Sequence, residues 1–71
     1  MATIANRVTS NMRRLRKGDR FWDDGELWEV TGQPEMVDGT DEFVRVPMIR
    51  VNGGLRSRRY LYNGSYRVNL V

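Results

Sequence analysis

RKGDRFWDDGELWEV, residues 16–30, decides the fold. Asp24-Gly25 at its centre accepts the positive φ angles of a type I′ turn, so the stretch predicts a β-hairpin with a two-residue loop. That loop sets Asp23 opposite Glu26, Trp22 opposite Leu27, Phe21 opposite Trp28, Arg20 opposite Glu29 and Asp19 opposite Val30. Cross-strand partners share a face. Phe21, Trp28 and Val30 therefore make one side, the candidate core. Arg20 and Glu29 make a favourable charge pair on the other, beside Trp22 and Leu27. The one discord is the like pair Asp23 and Glu26 at the solvated tip.

Upstream, residues 1–15 are polar and basic. Ile4, Val8, Met12 and Leu15 recur at helical spacing, yet the Thr, Ser and Asn residues between them are poor helix formers. A short helix or an extended arm is expected, its apolar stripe placed to cover Trp22 and Leu27. Downstream, QPEMVDGTD (33–41) carries the turn residues Pro34, Asp38 and Gly39 and is expected to be a loop. EFVRVPMIRV (42–51) then alternates, with Val44, Val46 and Met48 inward; Pro47, which lacks an N–H, marks an edge or a bulge.

Two more turns follow, at Asn52-Gly53-Gly54 and Asn63-Gly64. Two-residue loops at both gather Val44, Val46, Met48, Leu61, Tyr66, Val68 and Leu70 on one face. The opposite face then holds Arg45, Arg56, Arg58, Tyr60, Tyr62 and Arg67. A three-residue loop at 52–54 would reverse the fourth strand relative to the third. Five short strands joined by tight turns predict a small barrel or sandwich.

Composition bounds what such a domain can do. Seventy-one residues make one domain that buries only ~60% of its unfolded surface. Neither cysteine nor histidine is present, which removes disulfides, the usual zinc ligands, thiol nucleophiles and the commonest general base. Absence of cysteine fits a reducing, cytoplasmic setting. The stretch MATIANRVTSNMRR (1–14) has no apolar run long enough for a signal peptide or a membrane span. The net charge of +3 hides three blocks. Residues 1–18 carry +5 and residues 43–71 carry +6. Between them, all nine acids and the single base Arg20 leave residues 19–42 at −8. Such segregation concerns partners and orientation. Eleven arginines against one lysine suit forked contacts to phosphate and stacking on flat rings, although Arg-rich codon usage gives the same count.

Lys17-Gly18-Asp19, the hairpin, the loop, then Phe43-Val44-Arg45-Val46 and a glycine turn resemble the KOW/SH3-like barrels. Over residues 2–62 the pattern is most similar to the N-terminal domain of translation elongation factor P. The resemblance implies an all-β fold: a small five-stranded SH3-like barrel over residues 18–71, preceded by a basic N-terminal arm or short helix over residues 1–17. In that family the long loop presents a modified lysine between glycines. Here it reads Met36-Val37-Asp38-Gly39-Thr40-Asp41, acidic and without lysine, so peptide-bond rescue at the ribosome does not carry over. Domains of this kind sit on RNA, DNA, ribosomes and transcription complexes, which is an analogy of fold.

LRSRRYLY (55–62) carries the strongest functional signal. Alternation sets Arg56, Arg58, Tyr60 and Tyr62 on one strand face, with Arg67 across the next turn. Arginines at ~6.7 Å steps can each meet a backbone phosphate, and exposed tyrosines can stack on bases. Arg13, Arg14, Arg16 and Arg45 extend the track. The blander alternative is a sheet edge kept soluble by charge. Trp22 and Leu27 are the candidate protein-interaction pair, since a Trp on a non-core face is a frequent hot spot. The acidic DDGE tip lacks calcium-loop spacing, and no serine has a base placed by sequence. The expectation is a non-enzymatic binding module without metal or cofactor. Its expected partner is DNA, RNA or a nucleoprotein complex. The alternative is a small phage-type regulator that binds a host protein; the opposed charged poles also allow weak self-association.

Overall fold

The computed structural model describes residues 8–53 and 56–71. Among the described residues seven strands and one 3-10 turn follow in order: β1 (Thr9–Asn11), the turn (Met12–Arg14), β2 (Arg20–Asp23), β3 (Glu26–Val30), β4 (Glu35–Val37), β5 (Thr40–Arg50), β6 (Arg58–Asn63) and β7 (Arg67–Asn69). Every pairing is antiparallel. The main sheet runs β2-β3-β5-β4, with β6 along β5 as well, and curls into a small all-β half-barrel. β7 pairs with β1 and meets β2 through the Phe21–Leu70 bridge.

The first hairpin has the register its turn dictates. Arg20 faces Glu29, Phe21 faces Trp28, Trp22 faces Leu27 and Asp23 faces Glu26. Asp24 at φ 52° and Gly25 at φ 73° give the type I′ geometry. Arg20 Nε lies 2.8 Å from Glu29 Oε1 on the wet face. On the dry face Phe21 and Val30 are fully buried. They join Met12, Leu15, Val44, Val46, Met48 and Val68 in one core, with Trp28, Tyr60, Tyr62 and Leu70 packed against it.

Four expectations are corrected. The segment placed outside the barrel is part of it, at least from residue 9 onward. Thr9, Ser10 and Asn11 pair with Asn69, Val68 and Arg67, because residues with weak helical preference find a strand partner. Asn11 then caps one 3-10 turn by accepting from Arg14 N–H at 3.0 Å. That turn sends Met12 and Leu15 into the core instead of over Trp22 and Leu27; Val8 is exposed, and Ile4 lies outside the described residues.

The stretch 33–41 is a second hairpin and not a loop. Asp38 at φ 55° and Gly39 at φ 74° form its turn, and β4 pairs with β5 through Glu35–Arg45 and Met36–Val44 before the register shifts. Pro47 sits where the neighbouring strand is broken between β3 and β4. Its carbonyl accepts from Thr31 N–H at 2.9 Å, so the missing Pro47 N–H points into that break.

The phase of β6 is reversed. Val44 faces Tyr62, Val46 faces Tyr60 and Met48 faces Arg58, so even residues meet even residues. β5 outruns β6, because Ile49 and Arg50 continue along β3 opposite Glu29 and Trp28. An odd number of residues then separates Met48 from Arg58. Tyr60 and Tyr62 turn toward the core, while Leu61 faces out with 58% of its surface exposed.

Finally, Asn63-Gly64 does not form a hairpin. Tyr66 N–H bonds to the Asn63 carbonyl at 3.0 Å, and Asn63 Oδ1 accepts from Ser65 N–H at 2.9 Å. This capped turn sends β7 away to β1, so Arg67 and Val68 never face β6.

Candidate nucleic-acid interface

The hairpin register points Trp28 inward from β3, and the even phase of β6 points Tyr60 at it. The two rings meet edge to face, with centroids 5.1 Å apart and planes at 66°. Asp23 holds the strands in this relation from the end of β2. Its carbonyl accepts the Trp28 indole N–H at 3.2 Å, and its carboxylate accepts the Tyr62 hydroxyl at 2.7 Å. Tyr62 also lies parallel to Tyr66 at 6.0 Å. Burial, then the hydrogen bond to the Asp23 carboxylate, pushes the Tyr62 hydroxyl well above the ordinary phenol range. Tyr62 is therefore a structural clasp between β6 and the first hairpin, and not a free stacking surface.

Beyond this clasp a groove of about 560 Å³ opens between the hairpin tip and the β5–β6 connection. Trp28 and Tyr60 supply aromatic surface, and Arg50, Arg56 and Arg58 supply guanidinium groups. Asp24 and Glu26 supply carboxylates from the tip. Glu26 Oε1 approaches Arg50 Nη1 only to 4.0 Å, a long contact. Arg56 and Arg58 have no acidic partner among the described residues. So Arg56, Arg58 and Tyr60 do come together, though on the inner and not the outer face. Nothing in the sequence marks Arg50 or Trp28 as part of a site. Only the register shows that Trp28 and Arg50 face each other across β3 and β5.

The remaining arginines fall elsewhere. Arg13, Arg14, Arg16 and Arg67 line a second hollow with Thr9 and Asn11. Arg67 Nη2 donates to Thr9 Oγ1 at 2.7 Å. Arg13 is committed to the fold: Nη2 donates to the Asp41 carbonyl at 3.2 Å, and Nε lies 3.3 Å from Asp41 Oδ2. That Nε is buried and too poorly aligned for a hydrogen bond, so the contact is an ion pair by distance alone. Arg45 stands on the outer face opposite Leu61, apart from both arginine groups. Trp22 is 56% exposed on that outer face, opposite a half-buried Leu27.

Among the described residues no cluster of three or more acids is placed to hold a metal ion, and no helix is long and apolar enough to cross a membrane. No family model, curated protein or solved structure matches this chain.

Proposed function

We propose that the protein is a non-enzymatic binding module that takes single-stranded nucleic acid, free or in a nucleoprotein complex, in the groove at the mouth of the barrel. The observation that carries this reading is the edge-to-face Trp28–Tyr60 pair beside Arg56 and Arg58, neither of which has an acidic partner among the described residues. Flat rings stack on any base, and guanidinium groups meet phosphates in a fork. Side-chain rings stack on bases that are free of a duplex, which favours a single strand. The hollow lined by Arg14, Arg16 and Arg67 offers a second phosphate contact region. A cytoplasmic setting accords with these partners.

The test is binding to mixed-sequence DNA and RNA oligonucleotides at ~50 mM salt, where phosphate contacts are strong. Replacing Arg56 and Arg58 by Ala together is expected to weaken binding. The slope of log K against log salt should fall by about 0.7 per lost contact on a single strand. Wild-type protein that binds none of these oligonucleotides overturns the proposal.

A second reading rests on Trp22, whose exposure on the face away from the groove suits a protein partner, such as a host protein for a phage-type regulator. It requires that Trp22→Ala abolish co-purification of that partner after nuclease treatment while leaving oligonucleotide affinity intact.

A further inference from the structure

The groove has an acidic side that a general polyanion site does not need. Asp24 and Glu26 stand at the hairpin tip, on the same cavity as Arg56 and Arg58. Asp24 has no partner among the described residues, and the 4.0 Å approach of Arg50 leaves Glu26 with acceptor capacity. Carboxylates repel a phosphate backbone, so they oppose binding unless the ligand brings hydrogen-bond donors to them. Ionised carboxylates accept and never donate. Among the nucleobases, guanine alone offers adjacent ring and exocyclic N–H donors on its Watson–Crick edge. Adenine and cytosine each present an exocyclic amine beside a ring acceptor, and that acceptor would face an oxygen. Uracil and thymine present one N–H between two carbonyls.

Resting on the proposed single-strand reading, we infer that the groove selects guanine. The base lies against Tyr60 and Trp28, its N1–H and N2–H donate to the Asp24–Glu26 side, and the flanking phosphates meet Arg56 and Arg58. Position fits role. Asp23, which precedes Asp24 and faces Glu26, is tied to Trp28 and Tyr62, so the backbone that carries both carboxylates is anchored beside the rings. Acceptors beside the rings turn a general stacking site into a selective one, because a base without matching donors leaves them unpaired.

The experiment compares oligothymidylate with the same oligomer carrying one central guanine, adenine or cytosine, read by quenching of Trp28 fluorescence in a Trp22→Phe background. The guanine oligomer is expected to bind about tenfold tighter than the other three, within the range of a good bidentate base contact. Glu26→Gln with Asp24→Asn should erase that preference and leave affinity for oligothymidylate equal or higher. Equal binding of all four oligomers by wild-type protein overturns the inference and leaves the single-strand reading standing. So does a guanine preference that survives in the double variant. Failure of all four to bind at ~50 mM salt overturns the single-strand reading itself.

Discussion

Replacing Tyr62 by Phe tests how β6 is held to the first hairpin. The Tyr62 hydroxyl donates to Asp23 Oδ2 at 2.7 Å across the gap between β6 and the first hairpin. A hydrogen bond to a charged acceptor contributes about 1.5–3 kcal/mol, and half-burial puts this one toward the lower end. A domain of this size is held by roughly 4–10 kcal/mol in all, so loss of ~1.5 kcal/mol lowers the melting temperature by about 6–12 °C. The same bond has a signature in pH. In the folded state the Tyr62 hydroxyl titrates well above the usual phenol value, because burial and the neighbouring carboxylate both disfavour the phenolate. In the unfolded chain it titrates near 10. Below that value the stabilisation is fully present. As pH rises further, the unfolded state sheds its proton first, and stability falls by up to ~1.4 kcal/mol per unit until the folded-state value is passed. Between pH 9 and pH 11 this group alone should remove about 1.4 kcal/mol from the wild type and nothing from Tyr62→Phe. Urea titrations of both proteins at the two pH values read that difference directly, since other groups cancel in the comparison. Parallel stability profiles in this interval would refute the clasp, whatever the variant's stability at pH 7.

Gly64→Ala is expected to destabilise by more than ~2 kcal/mol, since a Cβ there would strike the backbone oxygen of Asp41 and press on the Arg13 guanidinium. Gly39→Ala, with nothing near the added methyl but a φ of 74°, should cost only ~1 kcal/mol, so thermal denaturation separates overlap from backbone strain. Met12→Ala should cost about 2–5 kcal/mol in chemical denaturation, whereas Val8→Ala should stay within about 0.5 kcal/mol. Equal effects of that pair would return the basic segment to the outside of the fold.

The legible part of this fold is the part with short, two-residue turns. Asp24-Gly25 sets a register that holds for every pair from Arg20–Glu29 to Asp23–Glu26, because two positive-φ residues leave the strands one way to meet. Phe21, Val30, Val44, Val46 and Met48 were readable as core on alternation alone. The phase of β6 was not. It depends on the parity of residues 49–57, and that parity depends on Ile49 and Arg50 pairing with β3, a contact between segments far apart in sequence. Asn63-Gly64 has the composition of a type I′ turn, yet the Asn63 side chain caps Ser65 and sends the chain across the barrel. For the site, Arg56, Arg58 and Tyr60 were visible as a basic, aromatic run, but their surroundings were not. Trp28 is core by pattern, and becomes groove lining only because the sheet curls without closing beside it.

Charge bears on why the proposed site is one groove when eleven arginines are spread along the chain. The sequence separates its acids into residues 19–42, and the fold brings part of that block back against the arginines. Arg13 meets Asp41, Arg20 meets Glu29, and Arg59 meets Glu35 at 3.0 Å. Exposed pairs of this kind contribute little to stability, commonly under ~1 kcal/mol each. Their consequence is electrostatic: each lowers the positive potential where it forms. Arg56 and Arg58 have no acidic partner among the described residues, and the carboxylates of Asp24 and Glu26 share their groove without pairing to them. On the proposed reading, a polyanion is drawn to the aromatic-lined groove, where Arg56 and Arg58 have no acidic partner among the described residues.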